Sequence, residues 1–313
     1  MPLDRGMPPS KRNKVLVVGM DGLRFDRLQA VGAPVLDALM STGAYGTSKL
    51  PYGEPGTPRT ESPGEVVPKS SEPDGRVIAS RTDSGPGWSS IATGVWPDKH
   101  GVVDNSFTNP HFTKFPDFLS RAKAARPDLA TAAFFSWTAL HEYGAFGPAI
   151  DHRLVLDGYA MGWAAADAQV AEAAERHLAG PGPDAAFVYL GDTDEVAHAL
   201  DPHRPEYTAA LLAQDAYLGR LLDAVRGRAA YPDEKWTVLV TTDHGHVDEG
   251  GHGGTSDEER TVFVIANRLG EDLGGRALAA PRLVDVAPTA LDLLGIEADP
   301  GWDLDGTSLF INC

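Results

Sequence analysis

Cysteine is nearly missing from this chain: there is one, Cys313, and it is the last residue. A disulfide within the chain is therefore impossible, and so is a zinc cluster built on cysteines. Long apolar runs are missing too. None approaches the roughly 20 residues of a membrane span. The opening MPLDRGMPPSKRNK carries charges but no apolar stretch before the strand-like VLVVG, so no secretory signal is legible and the cytoplasm is the expected location. Positive charge is scarce, with 27 Lys and Arg against 44 Asp and Glu, a formal net charge of −17. Such a chain repels a polynucleotide backbone, which argues against a duplex nucleic acid partner. An anionic small molecule is acceptable only where bound cations invert the local field.

What is present is enough apolar residue for a large core. The 313 residues are 42% hydrophobic and 23% charged, which excludes global disorder. Apolar, β-branched runs at 14–20, 129–135, 150–156, 184–190, 236–242 and 261–266 read as strands. Between them, 34–41, 115–125, 163–179, 206–226 and 282–294 read as helices, with Gly43 and Gly227 as stop signals. Strands alternating with helices predict an α/β fold: a mostly parallel central sheet with helices on both faces. The whole of 1–313 reads as one catalytic domain without internal repeats. Its one anomaly is a Pro-, Gly-, Ser- and Glu-rich stretch at about 51–76, too long for an ordinary connection, which reads as a loop or flap.

Polar residues recur where the apolar strands end. The run Thr237–Thr241 breaks into Asp243-His244-Gly245-His246, a carboxylate beside an imidazole. Open α/β sheets place ligand sites at such carboxyl ends, and the pair equally suits a polar turn. Asp21 follows the first strand, as a metal ligand or as a turn residue. Asp194 and His198, four apart, share one face of a helical turn after the strand at 184–190, as ligands or as an exposed pair. Ser84 lies before a short helical run closed by Gly94, as a nucleophile where backbone N–H groups meet an anion or as an N-cap. His252 stands among four glycines, Gly250, Gly251, Gly253 and Gly254, which let the backbone approach a crowded centre. Three Asp, three His and one Ser suit two divalent ions about 3.5–4 Å apart that bind substrate oxygens and ionise a nucleophile.

These motifs resemble the alkaline phosphatase superfamily, and most closely its nucleotide pyrophosphatase/phosphodiesterase-like branch. The likeness rests on VVGMDG around Asp21, on Ser84 with Ile91-Ala92-Thr93-Gly94 and WPDKHGV behind it, and on Asp194-x-x-x-His198. It continues through Asp243-His244-Gly245, His252 and the tail VDVAPTALDLLGI with DGTSL. The resemblance implies one metal held by Asp194, His198 and His252, and another by Asp21, Ser84, Asp243 and His244. Zinc is implied, with Mn²⁺ or Fe²⁺ also compatible with the nitrogen and oxygen donors. It further implies a hydrolase of small phosphate esters that passes through a phosphoserine, most closely a phosphodiesterase or nucleotide pyrophosphatase. The alternatives are a phosphomonoesterase and a phosphomutase of the same superfamily, or a non-catalytic metal-binding member. The chain departs from the branch at the nucleophile, where Thr is usual. It also departs at Gly85, where an aromatic residue is common, and at Gly87, where an Asn is expected to help bind the phosphoryl group. Gly85 and Trp88 are the expected substrate contacts, with Trp88 either stacking on the leaving group or packing in the core.

Overall fold

The computed structural model describes residues 11–51, 76 and 78–310. Apart from its ends, Pro51 and Arg76, the stretch expected to form a flap lies outside the described residues. Eight strands form one sheet: β1 (Arg12–Met20), β2 (Ala44–Lys49), β3 (Thr131–Phe135), β4 (His152–Val155), β5 (Ala185–Leu190), β6 (Glu234–Thr241), β7 (Thr261–Arg268) and β8 (Arg276–Ala277). Their order is β4-β3-β5-β1-β6-β7-β2-β8. The five strands from β4 to β6 are parallel to one another, whereas β7 runs against both β6 and β2. The expected mostly parallel α/β sheet is what forms.

Strand alternation splits the core in two. Val15 and Val17 of β1 face a layer containing the helices Ser84–Thr93, Phe118–Ala125 and Val286–Leu293. Leu16, Val18 and Met20 face the other layer, with the helices Pro34–Thr42, Trp163–Ala179 and Pro205–Arg226. Both faces of the sheet are thus covered, which is why its strands read as continuous apolar runs. The helix Pro205–Arg226 buries Tyr207, Leu211, Leu218, Leu221, Leu222 and Val225, each contributing about 1.5–3 kcal/mol over an exposed position. The helix expected at 282–294 is a 3₁₀ turn, Leu283–Asp285, running into the helix Val286–Leu293. The sequence pattern missed the helix Phe25–Val31 and β2, whose AYGTSK has no apolar alternation and takes its place by pairing with β7. Among the described residues no helix is long and apolar enough to cross a membrane.

Candidate active site

Three neighbouring parallel strands, β5, β1 and β6, deliver the expected side chains from their carboxyl ends. Asp21 follows β1. Asp243 and His244 follow β6. The helix Asp192–Ala199 follows β5 and carries Asp194 and His198, whose Oδ2 and Nε2 lie 3.4 Å apart across one turn. The start of that helix is fixed from below by buried Asp167, which accepts from Gly191 N and Asp192 N, both at 2.9 Å. Ser84 is the first residue of the helix Ser84–Thr93, with Asp83 in the N-cap position, rather than a residue preceding the helix. Its Oγ lies 3.1 Å from His244 Nε2. His252 arrives on the loop after β6, with Nδ1 2.6 Å from the carbonyl of Thr82. All seven residues expected as nucleophile or ligands are brought together.

The polar atoms of this centre are arranged for a cation. His244 Nδ1 faces the carbonyl of Gly245 at 3.0 Å, and a carbonyl only accepts, so Nδ1 carries the proton. Nε2 then presents a lone pair, with Asp243 Oδ2 at 3.3 Å and Asp21 Oδ1 at 3.5 Å. By the same reasoning His252 Nδ1 donates to Thr82, and its Nε2 lone pair lies 2.9 Å from His198 Nε2 and 3.5 Å from Asp194 Oδ1. Asp21 Oδ1, Asp194 Oδ1 and Asp243 Oδ2 are buried without a hydrogen-bond partner. Lone pairs and carboxylate oxygens crowded in this way repel unless a positive ion lies among them. The residues present fit divalent metal ions: Asp194, His198 and His252 form one set of donors, and Asp21, Asp243 and His244 another.

The electrostatics carry the same signature. Burial, and then the charge of Asp194, push the Asp21 carboxyl well above the usual range. Burial, with Asp21 and Asp194 nearby, does the same to Asp243. Asp194 is held well below that range: burial works against it, but the closeness of the imidazoles of His198, His246 and His244 prevails. Burial lowers His244 far below the ordinary imidazole value and His252 to about 4. Both histidines are therefore neutral near pH 7, as metal ligation requires.

Several contacts were not foreseen. Trp88, expected either to stack on the leaving group or to pack in the core, is fully buried. Its ring packs edge-on against Phe187 and Tyr189, and its Nε1 donates to Asp21 Oδ2 at 2.8 Å. The Tyr189 hydroxyl donates to the same oxygen at 2.5 Å, leaving Oδ1 to point inward. Gly87, where an Asn was expected, lies so close to β6 that a Cβ would stand 2.7 Å from the Cβ of Asp243. An Asn reaches the residue next to Ser84 from elsewhere: Asn105 Oδ1 accepts from Gly85 N at 2.6 Å. Gly85 itself is buried, and a Cβ there would stand 2.7 Å from the carbonyl of Asp104, so it contributes its backbone to this corner. Thr82 clamps the His252 loop to the segment that leads into Ser84, accepting from Gly253 N and donating to the carbonyl of Gly254. His246 is fully buried beside Asp194. Its place two residues after His244 was the one sequence signal for it, since a second histidine after a strand end is unusual as core filling.

Residues 80–257 match the family of type I phosphodiesterases and nucleotide pyrophosphatases. That span holds every site residue named so far except Asp21. A 114-residue stretch is 38% identical to a 2,3-bisphosphoglycerate-independent phosphoglycerate mutase of Desulforudis audaxviator, covering 34% of this chain and 20% of that protein. Another of 120 residues is 30% identical to GPI ethanolamine phosphate transferase 1 of Aspergillus oryzae, covering 38% of this chain and 11% of that protein. The chain thus matches only a fifth or less of these two curated relatives. Murine ectonucleotide pyrophosphatase/phosphodiesterase 5 has a similar structure, with a TM-score of 0.64 at 15% identity, covering 92% of this chain and 96% of that one. The phosphonate monoester hydrolase of Agrobacterium radiobacter gives 0.64 at 17% identity, covering 96% and 76%. At such identities the likeness establishes an alkaline-phosphatase-like fold.

Proposed function

Since the chain belongs to the type I phosphodiesterase and nucleotide pyrophosphatase family, we propose that it is a metal-dependent hydrolase of small phosphodiesters or nucleotide-type pyrophosphates, with Ser84 as nucleophile. One observation carries this reading. Three buried, unpartnered carboxylate oxygens and two imidazole lone pairs converge beside a serine hydroxyl at the start of a helix. Divalent ions held by Asp194, His198 and His252, and by Asp21, Asp243, His244 and Ser84, would supply Lewis-acid charge to lower the Ser84 pKa and neutralise phosphoryl oxygens. Zinc suits the mixed nitrogen and oxygen donors, and Mn²⁺ or Fe²⁺ are the competing choices.

The residues of the chain have distinct tasks. Ser84 Oγ, aimed by its contact with His244, attacks phosphorus in line. The bond to the leaving alcohol or phosphate breaks, and a phosphoserine forms that keeps the substrate's other ester group. Water then attacks that phosphorus from the vacated side and restores the Ser84 oxygen. The positive end of the helix Ser84–Thr93 faces the non-bridging oxygens. Asn105, with its Oδ1 held on Gly85 N, brings an amide nitrogen to the same corner as a further donor. Among the described residues, two arginines near the site are paired with carboxylates: Arg24 with Asp26 and Asp248, and Arg81, through Nε, with Asp83. Their charge is in part offset by the protein before the second negative charge of a monoester is met, which favours a diester.

The test uses mono- and diesters of one aromatic alcohol at one pH, with protein stripped by chelator and then reloaded with a single metal. The expected outcome is loss of turnover on stripping, recovery on reloading, and a higher kcat/KM for the diester. A hundredfold monoester preference, about 2.7 kcal/mol of transition-state discrimination, would move the assignment to a phosphatase. Full activity in the stripped protein would end the metal-dependent reading.

A further inference from the structure

His246 lies inside the centre, and the two ligand sets above leave it without a task. Its ring is fully buried, and neither Nδ1 nor Nε2 has a hydrogen-bond partner. A buried polar ring with both nitrogens unmet is desolvated without return. Nε2 lies 2.9 Å from Asp194 Oδ1, an oxygen that is itself unpartnered. The separation would suit a hydrogen bond, but the atoms are not aligned for one. It also suits two donors of one ion: atoms about 2.0–2.1 Å from a metal and 90–109° apart lie about 2.9–3.4 Å from each other. Asp194, His244 and His246 can each bring one donor atom within 4.8 Å of the others, and all three are buried.

The placement is built by the fold. Arg24 Nη1 donates to the His246 carbonyl at 3.1 Å, and its guanidinium is fastened by Asp26 and Asp248. Gly22, at φ +61°, leaves the room the ring occupies: a Cβ there would stand 2.5 Å from His246 Nε2. Asp194 Oδ2 faces His198 at 3.4 Å, and Oδ1 faces His246 at 2.9 Å and His252 at 3.5 Å, so this one carboxylate adjoins both the His198–His252 donors and His246.

We propose that His246 Nε2 is a metal ligand, holding with Asp194 and His244 a divalent-cation position between the two donor sets already described. The proposal rests on the metal-dependent reading of the site. Its imidazole donors select Zn²⁺ or another borderline transition metal over Mg²⁺ and Ca²⁺.

The experiment compares the chelator-stripped wild-type protein with His246→Met and His246→Gln, and with His252→Ala as the control for the centre as a whole. Zn²⁺ binding is followed by calorimetry, Co²⁺ binding by visible absorption, and the metal-free melting temperature is recorded for each. Both His246 variants are expected to lose at least tenfold in affinity for one ion and to shift the Co²⁺ bands, with metal-free melting unchanged or raised. X-ray absorption of Zn²⁺-loaded wild-type protein should show the imidazole scattering of four histidines rather than three, a measurement that needs no variant to fold. Unchanged affinity and spectrum in both variants, with three histidines, would overturn the role of His246 and leave the metal-dependent site standing. A lower metal-free melting temperature with unchanged metal binding would likewise overturn it, assigning the ring to packing. A wild-type protein that binds no divalent ion would overturn both readings.

Discussion

Trp88 Nε1 donates to Asp21 Oδ2 at 2.8 Å, so a residue of the helix Ser84–Thr93 orients a carboxylate delivered by the central strand. With the Tyr189 hydroxyl on the same oxygen, Asp21 has one oxygen committed to the protein and the other turned into the site. Ligand carboxylates anchored in this way are the rule, and losing the anchor typically costs 10–100-fold in metal affinity or activity. Trp88→Phe keeps an aromatic ring against Phe187 and Tyr189 but removes the donor. A fall of about tenfold or more in metal affinity, measured by competition with a chromophoric chelator, is expected. Unchanged affinity would show that Tyr189 alone suffices.

Ser84→Ala removes the attacking oxygen and one contact to His244 while leaving the carboxylates and imidazoles in place. Turnover is expected to fall by roughly a thousandfold or more, the scale seen when a nucleophile is deleted. Melting temperature should change little. Mass spectrometry of wild-type enzyme rapidly quenched with a diester should find the phosphoryl group, still carrying its remaining ester substituent, on the peptide containing Ser84, and its absence from the variant would agree. A variant retaining a tenth of the activity would remove Ser84 from the mechanism.

Gly87 is where the helix Ser84–Thr93 meets Asp243 at the end of β6. A Cβ there would lie 2.7 Å from Asp243 Cβ and 3.1 Å from the Asp243 carbonyl oxygen, positions that cannot retreat without moving the strand end. Gly87→Ala is therefore expected to cost about 1–3 kcal/mol as overpacking, read from the denaturant midpoint, and to weaken metal binding by displacing Asp243. Stability and metal affinity that both survive would show the helix shifting freely, contrary to its complete burial.

Burial holds His252 at about 4 in the metal-free protein, against the pull of Asp194, whereas the unfolded chain protonates it near 6.5. Between those values the unfolded state binds more protons, so this group's contribution to stability is fully present above about 6.5 and is lost as pH falls towards about 4. Other groups of the centre shift in both directions, so the measurement is a difference. Metal-free wild type and His252→Gln should converge in relative stability as pH drops from 7 to 4.5. Parallel curves would show that His252 is not buried as a neutral ring.

The elements that carry the site were legible because each is announced locally. An apolar run long enough to span the sheet ends in Asp21, in Asp243-His244, or in the turn before Asp194, and a parallel strand delivers whatever follows it to one edge. The i, i+4 spacing of Asp194 and His198 holds at 3.4 Å. β2 was not legible, because AYGTSK is partly exposed and owes its conformation to β7. Ser84 was found at a helix start, but its place as the first helical residue was not, since Asp83 takes the cap position without a side-chain bond that the sequence would signal.

By itself, then, the sequence determined the sheet, the order of its strands' polar endings and the types of atom available for metal and phosphate. Those depend on periodicity and on residues adjacent in the chain. Only the tertiary structure decided how the atoms are aimed. Trp88 reaches Asp21 across 67 positions, His252 meets Thr82 across 170, and Asn105 comes to Gly85 across 20. Such pairings follow from which layers the two sheet faces bring together, and no local pattern encodes them. An indole that by type suited a substrate platform became the anchor of a carboxylate, because a buried N–H must find an acceptor and the nearest one was Asp21.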